Sequence, residues 1–360
     1  MRARHVLIAG GGSGGHVFPG LAVAESLVGK GWHVSWLGRQ EGMEKEIVEG
    51  RGIDYHGLPA LAVVGRGPLG RLRALATLAR SALAARSMIR RLEIGVVLGT
   101  GGFASVPGVA GARLAGRPSA LLEPNAEPGA ANRWLSRWSE VAATGYHQAV
   151  TGLRCRVQPT GVPVREEFFA GPRRPPAGSL VLLVLGGSQG ARQLNRILPR
   201  ALELVAPRFP ELEVLHQVGD RHLDEARDAY KECDLGTLEI ELRPFLRDVA
   251  AEMSGAHLVI SRAGAVTLAE ICAAGRAAVL VPLRLAGGHQ EQNAERLAAA
   301  GGAVVLRADE VNAEKLAEVL GELLADRRRL DSMGESLHEL STPGAAEAIA
   351  DLVIELGEAA

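Results

Sequence analysis

Residues 5–19 read HVLIAGGGSGGHVFP, and the rest of the chain is organised around this stretch. Residues 5–9 form a short apolar run, long enough for one buried strand. A glycine-rich loop, residues 10–15, follows at once, and Pro19 stands near the first turn of the helix that we expect to run through residues 20–27. A strand, a glycine loop and a helix in this order aim backbone N–H groups and a helix N-terminus at an anion.

The same arrangement occurs a second time, about half a chain later. Residues 179–185 are a second β-type run, residues 186–190 a second glycine loop, and residues 191–204 a second helical segment. One such loop alone fits a tight turn equally well. Two loops, each between a strand and a helix, indicate two nucleotide-fold domains that face one another.

The composition indicates a two-domain α/β protein with an aliphatic core. A length of 360 residues is comfortable for two domains, and 47% of the residues are hydrophobic while only 4% are aromatic. Leu, Val and Ala must therefore fill the core, which suits parallel strands buried between helices. The net charge of −1 identifies no partner, and we expect no nucleic acid to be bound.

The cysteines and the hydropathy indicate the cellular compartment of the protein. Cys155, Cys233 and Cys272 are scattered and form no CxxC pair, which favours a reducing compartment and no metal site. The sequence has no apolar run of about 18 residues, so we expect no membrane-spanning helix. These features predict a cytoplasmic protein, or one that rests on the inner surface of a membrane.

Strand-like runs alternate with helical segments along both halves, as parallel α/β domains require. The predicted strands are residues 5–9, 33–37, 53–58, 95–98, 119–122, 141–143, 157–159, 180–185, 213–218, 238–242, 257–260, 278–281 and 303–305. Further helices are predicted over residues 41–49, 106–115, 265–274 and 344–356. We assign residues 1–163 to the first domain and 164–343 to the second, and expect the C-terminal helix to pack back on the first.

A basic stretch, residues 61–92, contains seven arginines and no acidic residue. Apolar residues recur there at roughly helical spacing, namely Leu69, Leu72, Leu75, Leu78, Leu83 and Ile89. One interpretation is an ordinary surface helix with a solvated basic face. The other is a helix that docks on anionic lipid headgroups and buries its apolar residues below them.

Polar and glycine-rich segments follow the predicted strands of both halves. In the first half these are the loop of residues 99–103 and the sequence Glu123-Pro124-Asn125. In the second half, a turn at residues 261–264 leads into a helix at residues 265–274, whose N-terminal N–H groups favour a phosphate. Open α/β sheets bind ligands at this carboxyl edge, so each half presents a candidate site.

Two polar residues of the second half are candidates for sugar recognition. Glu270 lies one to two turns into its helix, where a carboxylate can accept two hydrogen bonds from a ribose diol; the alternative is an exposed helix carboxylate. His289 and Gln290 follow a predicted strand through a glycine-containing loop and could reach the same cleft. Amide side chains suit sugars because they carry both a donor and an acceptor.

Taken in order, these motifs resemble the MurG family, bacterial glycosyltransferases that add N-acetylglucosamine to undecaprenyl-diphospho-N-acetylmuramoyl-pentapeptide. The matching segments are residues 10–22, Gly101-Gly102-Phe103, residues 186–191, residues 261–270, His289-Gln290 and Asn293-Ala294. Single glycine loops are unspecific, but together with residues 261–270 they are specific, and the resemblance covers nearly the whole chain. The pattern differs at Phe103, where Tyr is common, and at residues 122–125, where Leu-Glu-Pro-Asn replaces His-Glu-Gln-Asn.

The resemblance implies a GT-B fold, in which two Rossmann-like domains enclose the active site in the cleft between them. It implies a UDP-sugar bound mostly to the second domain, with uracil on the Leu246 backbone, Arg165 close to the nucleotide and ribose on Glu270. It further implies that the diphosphate and the sugar lie on Ser188, Ala265, Val266, Thr267, Leu268, Ala269 and Gln290.

The reaction implied is an inverting displacement. The acceptor's 4-hydroxyl attacks the anomeric carbon of N-acetylglucosamine, and UDP leaves. His16 is our candidate general base, because an imidazole pKa of about 6.5 suits a neutral base at physiological pH. The alternative is a loop histidine hydrogen-bonded to a phosphate. Glu123 and Asn125 would orient the acceptor or share the role of the base.

The remaining implications concern the acceptor and the surroundings. Ser13, Gly14 and Gly15 are expected to bind substrate, and the acceptor's diphosphate is expected to lie against the Gly14-Gly15 and Gly101-Gly102 loops. No Asp-x-Asp motif lies in a suitable loop, so neither a metal ion nor another cofactor is expected. The lipid tail requires a membrane, which predicts a peripheral position at the cytoplasmic face of the inner membrane, on anionic lipid, in peptidoglycan synthesis.

Three other functions stay open from the sequence. A different GT-B enzyme would have the same fold with another donor or acceptor. A dinucleotide-dependent oxidoreductase is disfavoured, because Gly38-Arg39 stands where an acidic ribose partner would follow the second strand. A non-catalytic, membrane-associated binding protein would show binding without turnover.

Overall fold

The computed structural model describes residues 4–62, 67–145, 152–171, 179–187, 190–283 and 289–359. The chain divides into two compact units, Met1–Arg165 with Thr342–Ala360, and Glu166–Ser341. The division expected from the sequence, 1–163 with 344–356 and 164–343, places its junctions close to these. No helix in these described ranges is long and apolar enough to cross a membrane.

Each unit is built on one parallel sheet. The strands of the first unit are β1 His5–Ala9, β2 His33–Arg39, β3 Asp54–Leu58, β4 Val96–Gly99, β5 Ser119–Glu123, β6 Val141–Thr144 and β7 Arg156–Pro159. Those of the second unit are β8 Leu180–Leu185, β9 Leu212–Gln217, β10 Glu239–Arg243, β11 Leu258–Ser261, β12 Ala277–Leu280 and β13 Ala303–Val305. The sheet orders are β3-β2-β1-β4-β5-β6-β7 and β10-β9-β8-β11-β12-β13. All predicted strands are thus confirmed, with ends shifted by at most two residues.

Helices follow most of the strands. They are α1 Gly14–Gly29, α2 Glu44–Glu49, α3 Pro68–Arg91, α4 Val106–Ala115, α5 Ala130–Leu135, α6 Arg192–Val205, α7 Leu223–Lys231, α8 Val249–Gly255, α9 Ala265–Ala274, α10 His289–Ala299, α11 Ala313–Leu324, α12 Arg327–His338 and α13 Ala345–Ala359. The bounds of α4 and α9 are those predicted. The basic stretch forms one helix from residue 68, and its residues 63–66, including Arg66, lie outside the described ranges.

The alternation of side chains along β1 shows how the first sheet is buried. Val6 and Ile8 belong to one apolar cluster, and Leu7 and Ala9 to another. Successive side chains of a strand point to opposite faces, so both faces of this sheet are covered. The cluster that contains Val6 also includes residues of α1 and of α13, so the C-terminal helix packs in the core of the first unit.

The start of α1 differs from the prediction. The helix begins at Gly14, so Pro19 lies inside it and not near its first turn. Because proline has no N–H, the Gly15 carbonyl loses its helical hydrogen bond there. Gly15 is exposed, and water can therefore satisfy that carbonyl.

Both sheets reverse their strand order next to a glycine loop. β1 pairs with β2 on one side and with β4 on the other, and β8 pairs with β9 and with β11. The loops after β1 and β4 therefore lie side by side, as do those after β8 and β11. This is the position at which open α/β sheets bind ligands.

Candidate active site

The first glycine loop is fixed by the strands beside it. The Gly10 N–H donates to the Leu37 carbonyl at 3.0 Å, and Trp36 Nε1 donates to the Gly10 carbonyl at 2.9 Å. On the other side, Thr100 N–H donates to the Ala9 carbonyl at 2.9 Å. The loops after β1 and β4 are thus held at one edge of the sheet by two backbone hydrogen bonds and by one from the Trp36 side chain.

His16 is oriented by the loop after β4. Its Nδ1 lies 3.0 Å from the Thr100 carbonyl oxygen. A carbonyl only accepts, so Nδ1 carries the hydrogen in the neutral ring and Nε2 keeps its lone pair. A Cβ placed on Gly101 would lie 3.0 Å from the ring, and one on Gly102 would lie 3.2 Å from Nε2. Both glycines have positive φ, so they serve to seat the imidazole.

The surroundings of His16 keep its ring neutral. Burial lowers the pKa of His16 below its ordinary value, while the Glu123 carboxylate and the Thr100 carbonyl act in the opposite direction. A proton accepted by Nε2 would create a positive charge within reach of Glu123. The arrangement is that of a neutral base with a carboxylate placed to stabilise its protonated form.

Glu123 ends β5, and each of its two carboxylate oxygens accepts two hydrogen bonds. Its Oε1 accepts from Asn125 N–H at 3.1 Å and Asn125 Nδ2 at 2.9 Å, and its Oε2 accepts from Gly129 N–H at 2.8 Å and Asn132 Nδ2 at 2.9 Å. The residue is only 2% exposed. A carboxylate with four donors and almost no solvent contact can act on its neighbours through its charge and through the segment that it holds.

The amides around Glu123 have different roles. Asn125 donates its Nδ2 to Glu123, which leaves its Oδ1 as an acceptor at the partly exposed edge of the sheet. Asn132, on α5, is buried, and its Nδ2 bridges the Leu122 carbonyl and Glu123. Its Nδ2 also lies 3.5 Å from the position of a Cβ on Gly101. Asn132 therefore connects the carboxylate to the loop that seats His16.

Asn132 escaped the sequence analysis, and Thr100 entered it only as part of the loop of residues 99–103. Thr100 acts through its main-chain carbonyl, so no side-chain motif marks it. Asn132 lies inside a helix, where asparagine is uncommon without a local reason, and this is the one signal that could have drawn attention to it.

The three other predicted acceptor residues of the first loop differ in accessibility. Ser13 precedes α1, and its hydroxyl makes no capping hydrogen bond. A Cβ on Gly14 would lie 3.1 Å from the Phe18 ring, so packing explains that glycine. Gly15 is exposed and has only Ser13 Oγ near its Cβ position, at 3.8 Å. Ser13 and Gly15 thus offer a surface to a ligand.

In the second unit, several side chains fix the turn before α9. Arg262 Nη1 donates to the Val281 carbonyl at 3.0 Å, and Asn293 Nδ2 donates to the Ala263 carbonyl at 3.4 Å. Ser261 Oγ donates to the Arg262 carbonyl at 2.9 Å. The N-terminus of α9 therefore starts from a turn that is held on both sides.

The predicted phosphate-binding residues of α9 can contact an anion mainly through backbone N–H groups and less through their side chains. Ala265, Val266 and Leu268 are buried, while Thr267, Ala269 and Glu270 are partly exposed. The first N–H groups of a helix have no partner within it, so those of Ala265 to Thr267 remain for an anion. Leu268 N–H donates to the Gly264 carbonyl at 3.0 Å, so Leu268 offers neither its N–H nor its side chain.

The other predicted donor residues are placed as follows. Gln290 Oε1 accepts from Leu283 N–H at 2.9 Å, which leaves its amide nitrogen to donate to a sugar hydroxyl. Leu246 is buried between β10 and α8, so only its backbone suits a base. Arg165 belongs to the first unit, where its guanidinium lies 5.7 Å from the centre of the Phe18 ring. Ser188 lies outside the described residues.

Two family models match the two halves of the chain. The glycosyltransferase family 28 N-terminal domain matches residues 6–144, and the glycosyltransferase family 28 C-terminal domain matches residues 181–350. The second match begins in β8 and runs into α13, so it includes the turn before α9.

Individual relatives match over nearly the full length. Proteins of Halorhodospira halophila and Ectopseudomonas mendocina are each 42% identical to the chain, over 99% and 98% of both lengths respectively. Both are named UDP-N-acetylglucosamine–N-acetylmuramyl-(pentapeptide) pyrophosphoryl-undecaprenol N-acetylglucosamine transferase. The crystal structure of Acinetobacter baumannii MurG is 32% identical, with a TM-score of 0.76, and covers 98% of this chain and 99% of that one.

These matches confirm the GT-B fold and the resemblance to MurG inferred from the motifs. Because the models cover both halves and the relatives nearly every residue, the chain belongs to glycosyltransferase family 28.

Proposed function

We propose that this protein transfers N-acetylglucosamine from UDP-N-acetylglucosamine to the 4-hydroxyl of the muramoyl sugar of undecaprenyl-diphospho-N-acetylmuramoyl-pentapeptide, with inversion. The observation that carries the proposal is the 42% identity, over 99% of both lengths, to a transferase named for this donor and acceptor. The product would be the lipid-linked disaccharide used in peptidoglycan synthesis.

The proton step falls to His16 in this mechanism. Nε2 of the neutral ring accepts the proton of the attacking hydroxyl, while the Thr100 carbonyl holds Nδ1–H. The imidazolium that forms is stabilised by the nearby Glu123 carboxylate. Asn125 Oδ1 is an acceptor on the same edge, and we propose that it orients the acceptor sugar.

The leaving group requires stabilisation of the charge that develops on UDP. The N–H groups at the start of α9 and the positive end of its dipole supply this without reorganisation. Glu270 binds the ribose diol, the Leu246 backbone binds uracil, and Gln290 donates to a sugar hydroxyl. From the motifs alone, we further propose that Ser188 holds the diphosphate and that Arg165 lies near the nucleotide.

The exposed residues of α3 support a position at the membrane surface. Leu69, Leu72, Leu75 and Leu83 are 86%, 67%, 53% and 55% exposed on a helix whose charged residues are all arginines. Exposed leucines among arginines suit the headgroup region of an anionic bilayer, where the acceptor's lipid tail is anchored. We therefore place the protein at the cytoplasmic face of the inner membrane as a peripheral protein.

Product formation tests the proposed function directly. The protein is incubated with UDP-N-acetylglucosamine and a short-chain analogue of the lipid-linked muramoyl-pentapeptide, and the products are read by mass spectrometry. The acceptor should gain one N-acetylhexosamine, with release of UDP. Tight binding of the UDP-sugar without transfer would contradict the assigned acceptor, and an absence of both would contradict the function as a whole.

Substitution of Glu270 tests the donor site. Glu270→Ala should weaken UDP-N-acetylglucosamine binding about 10-fold or more, because two hydrogen bonds to a charged group are lost. Calorimetry measures the affinity, and the KM for the acceptor should stay unchanged. The matched control is Glu335→Ala, which removes an exposed carboxylate from α12. Equal donor affinities in the two variants would refute the ribose role.

Charge removal from α3 tests the membrane surface. Replacing the exposed Arg71, Arg80 and Arg90 by Gln should lower partition onto phosphatidylglycerol vesicles by about 100-fold at low salt, since each basic residue near such a surface adds to binding. The control replaces three exposed arginines of the second unit, Arg196, Arg200 and Arg328. Vesicle sedimentation that shows the same loss for both variants, or for neither, would rule out α3 as the docking surface.

A further inference from the structure

A buried carboxylate lies directly beneath the first glycine loop. The Glu44 side chain is fully buried and accepts from Gly12 N–H at 3.2 Å, from Arg39 N–H at 2.9 Å and from Arg39 Nε at 3.3 Å. A Cβ on Gly11 would collide with it, at 2.2 Å from Oε1. Burial is the largest single influence and opposes its ionisation, but the hydrogen bonds from Arg39, from its own N–H and from Gly12 together hold the pKa of Glu44 below its ordinary value.

This carboxylate creates a difficulty for an anionic ligand. It takes up Gly12 N–H, which is therefore turned away from any ligand of the loop, and it places a negative charge close to the loop. Two like charges at short range in a partly buried site repel each other. A diphosphate can bind this loop well only if a positive charge offsets Glu44.

Arg39 supplies that charge in a fixed position. Its N–H donates to Glu44, and its carbonyl accepts from the Tyr55 hydroxyl at 2.6 Å, so the end of β2 is held from both sides. A Cβ on Gly12 would lie 4.0 Å from Arg39 Nε and 3.8 Å from Cε1 of Phe103. The guanidinium and the Phe103 ring thus flank the same glycine of the first loop.

Most of the guanidinium is left for another partner. Nε is paired with Glu44, whereas Nη1 and Nη2 have no hydrogen-bond partner within the described ranges. The side chain is 29% exposed, so a ligand can reach it. Two Nη groups in one plane match two oxygens of a phosphate, which a lysine could not do.

We propose that Arg39 is an acceptor-binding residue that holds the acceptor's diphosphate beside the first glycine loop. The inference rests on the proposed function. It assigns Arg39 to the acceptor because the residue lies with the two glycine loops of the first unit, whereas the proposed donor residues on α9 and α10 belong to the second. Glu44 is the positioning residue that aims the guanidinium.

The test measures whether a substitution of Arg39 changes the KM for the acceptor without changing the KM for the donor. Arg39→Gln should raise the KM for the short-chain acceptor analogue about 10-fold or more, with the KM for UDP-N-acetylglucosamine unchanged, because a charge-assisted contact to phosphate is lost. The acceptor KM of Arg39→Lys should lie between those of Arg39→Gln and the natural protein. Lysine keeps the charge that balances Glu44 but lacks the two coplanar Nη donors. The control is Arg51→Gln, an arginine of the same unit that is ion-paired with Glu25.

A second acceptor analogue identifies the group that Arg39 binds. With one phosphate in place of the diphosphate, the penalty of Arg39→Gln should shrink. An undiminished penalty would point to a carboxylate of the peptide stem and overturn the proposal, as would an unchanged acceptor KM in both Arg39 variants. Thermal unfolding accompanies each variant, and if Arg39→Gln fails to fold, the acceptor KM of Arg39→Lys decides. Absence of transfer by the natural protein would instead remove the proposed function.

Discussion

His16→Ala is expected to lower kcat about 100-fold to 10,000-fold, the usual contribution of a general base. In the proposed mechanism Nε2 of the neutral imidazole accepts the proton, and alanine provides no replacement. The residues proposed for the donor site are others, so the affinity for UDP-N-acetylglucosamine should be nearly unchanged. Single-turnover kinetics with a saturating donor measure the chemical step, and calorimetry measures donor binding.

Two further variants separate the base from a phosphate ligand. His16→Gln keeps a donor that can bind a phosphate but has no basic nitrogen. It should therefore resemble His16→Ala in kcat if His16 is the base, whereas a phosphate ligand would show a nearly normal kcat and a raised acceptor KM. His33→Ala is the control, because His33 is an exposed histidine at the start of β2, at the opposite edge of the sheet. A kcat for His16→Ala within a few-fold of that of His33→Ala would exclude the base role.

Much of the fold could be predicted because its signals are local. A buried parallel strand is a short apolar run, and a glycine loop after it marks the edge at which ligands bind. The predicted strands and the bounds of α4 and α9 were accurate for this reason. The start of α1 was predicted wrongly because Pro19 is a common first-turn residue, and only tertiary packing keeps it inside a helix.

The chemistry of the candidate site depends on contacts between distant segments. His16 depends on the main chain of Thr100, and Glu123 on donors from residues 125 to 132. The sequence analysis identified Glu123 by its place at a strand end, but it had no means to count the donors that surround the carboxylate. Arg39 served only as an argument against a dinucleotide, because its partner Glu44 becomes visible only in the fold.

Several glycines that we interpreted as ligand contacts also have a packing role in the structure. Gly14 is required by Phe18, and Gly101 and Gly102 by the imidazole of His16. These glycines build the site by letting other side chains approach the backbone. A bound ligand and a packed side chain both require a residue without a Cβ. The sequence alone therefore does not distinguish these two roles of a glycine.

Glu123→Gln is expected to lower both stability and activity by large factors. Both carboxylate oxygens accept from N–H donors, two from Asn125, one from Gly129 and one from Asn132. An amide offers one oxygen, and its NH2 group would face donors in either orientation. Unpaired buried donors cost about 1–3 kcal/mol each, so we expect a loss of about 2–5 kcal/mol in the free energy of unfolding. Urea denaturation measures this loss.

The kinetic signature of Glu123→Gln lies in the pH profile. His16 must be neutral to act, so kcat/KM falls as the pH drops through the pKa of His16, which burial places below about 6.5. The Glu123 carboxylate raises that pKa, so its removal should move the acid limb to still lower pH. The loss of charge also removes stabilisation of the imidazolium, and kcat should fall about 10-fold or more.

The control for this variant is Glu140, which precedes β6 and contacts the other end of β5. Glu140 accepts one hydrogen bond, from Ser119 N–H at 2.6 Å, where β5 begins, whereas Glu123 ends it. Glu140→Gln should therefore leave the acid limb in place. An acid limb that moved upward in Glu123→Gln, or equally in both variants, would show that His16 does not sense Glu123. A shift to lower pH confined to Glu123→Gln would identify Glu123 as the residue that sets the basicity of His16, because lost stability alone does not change a pKa.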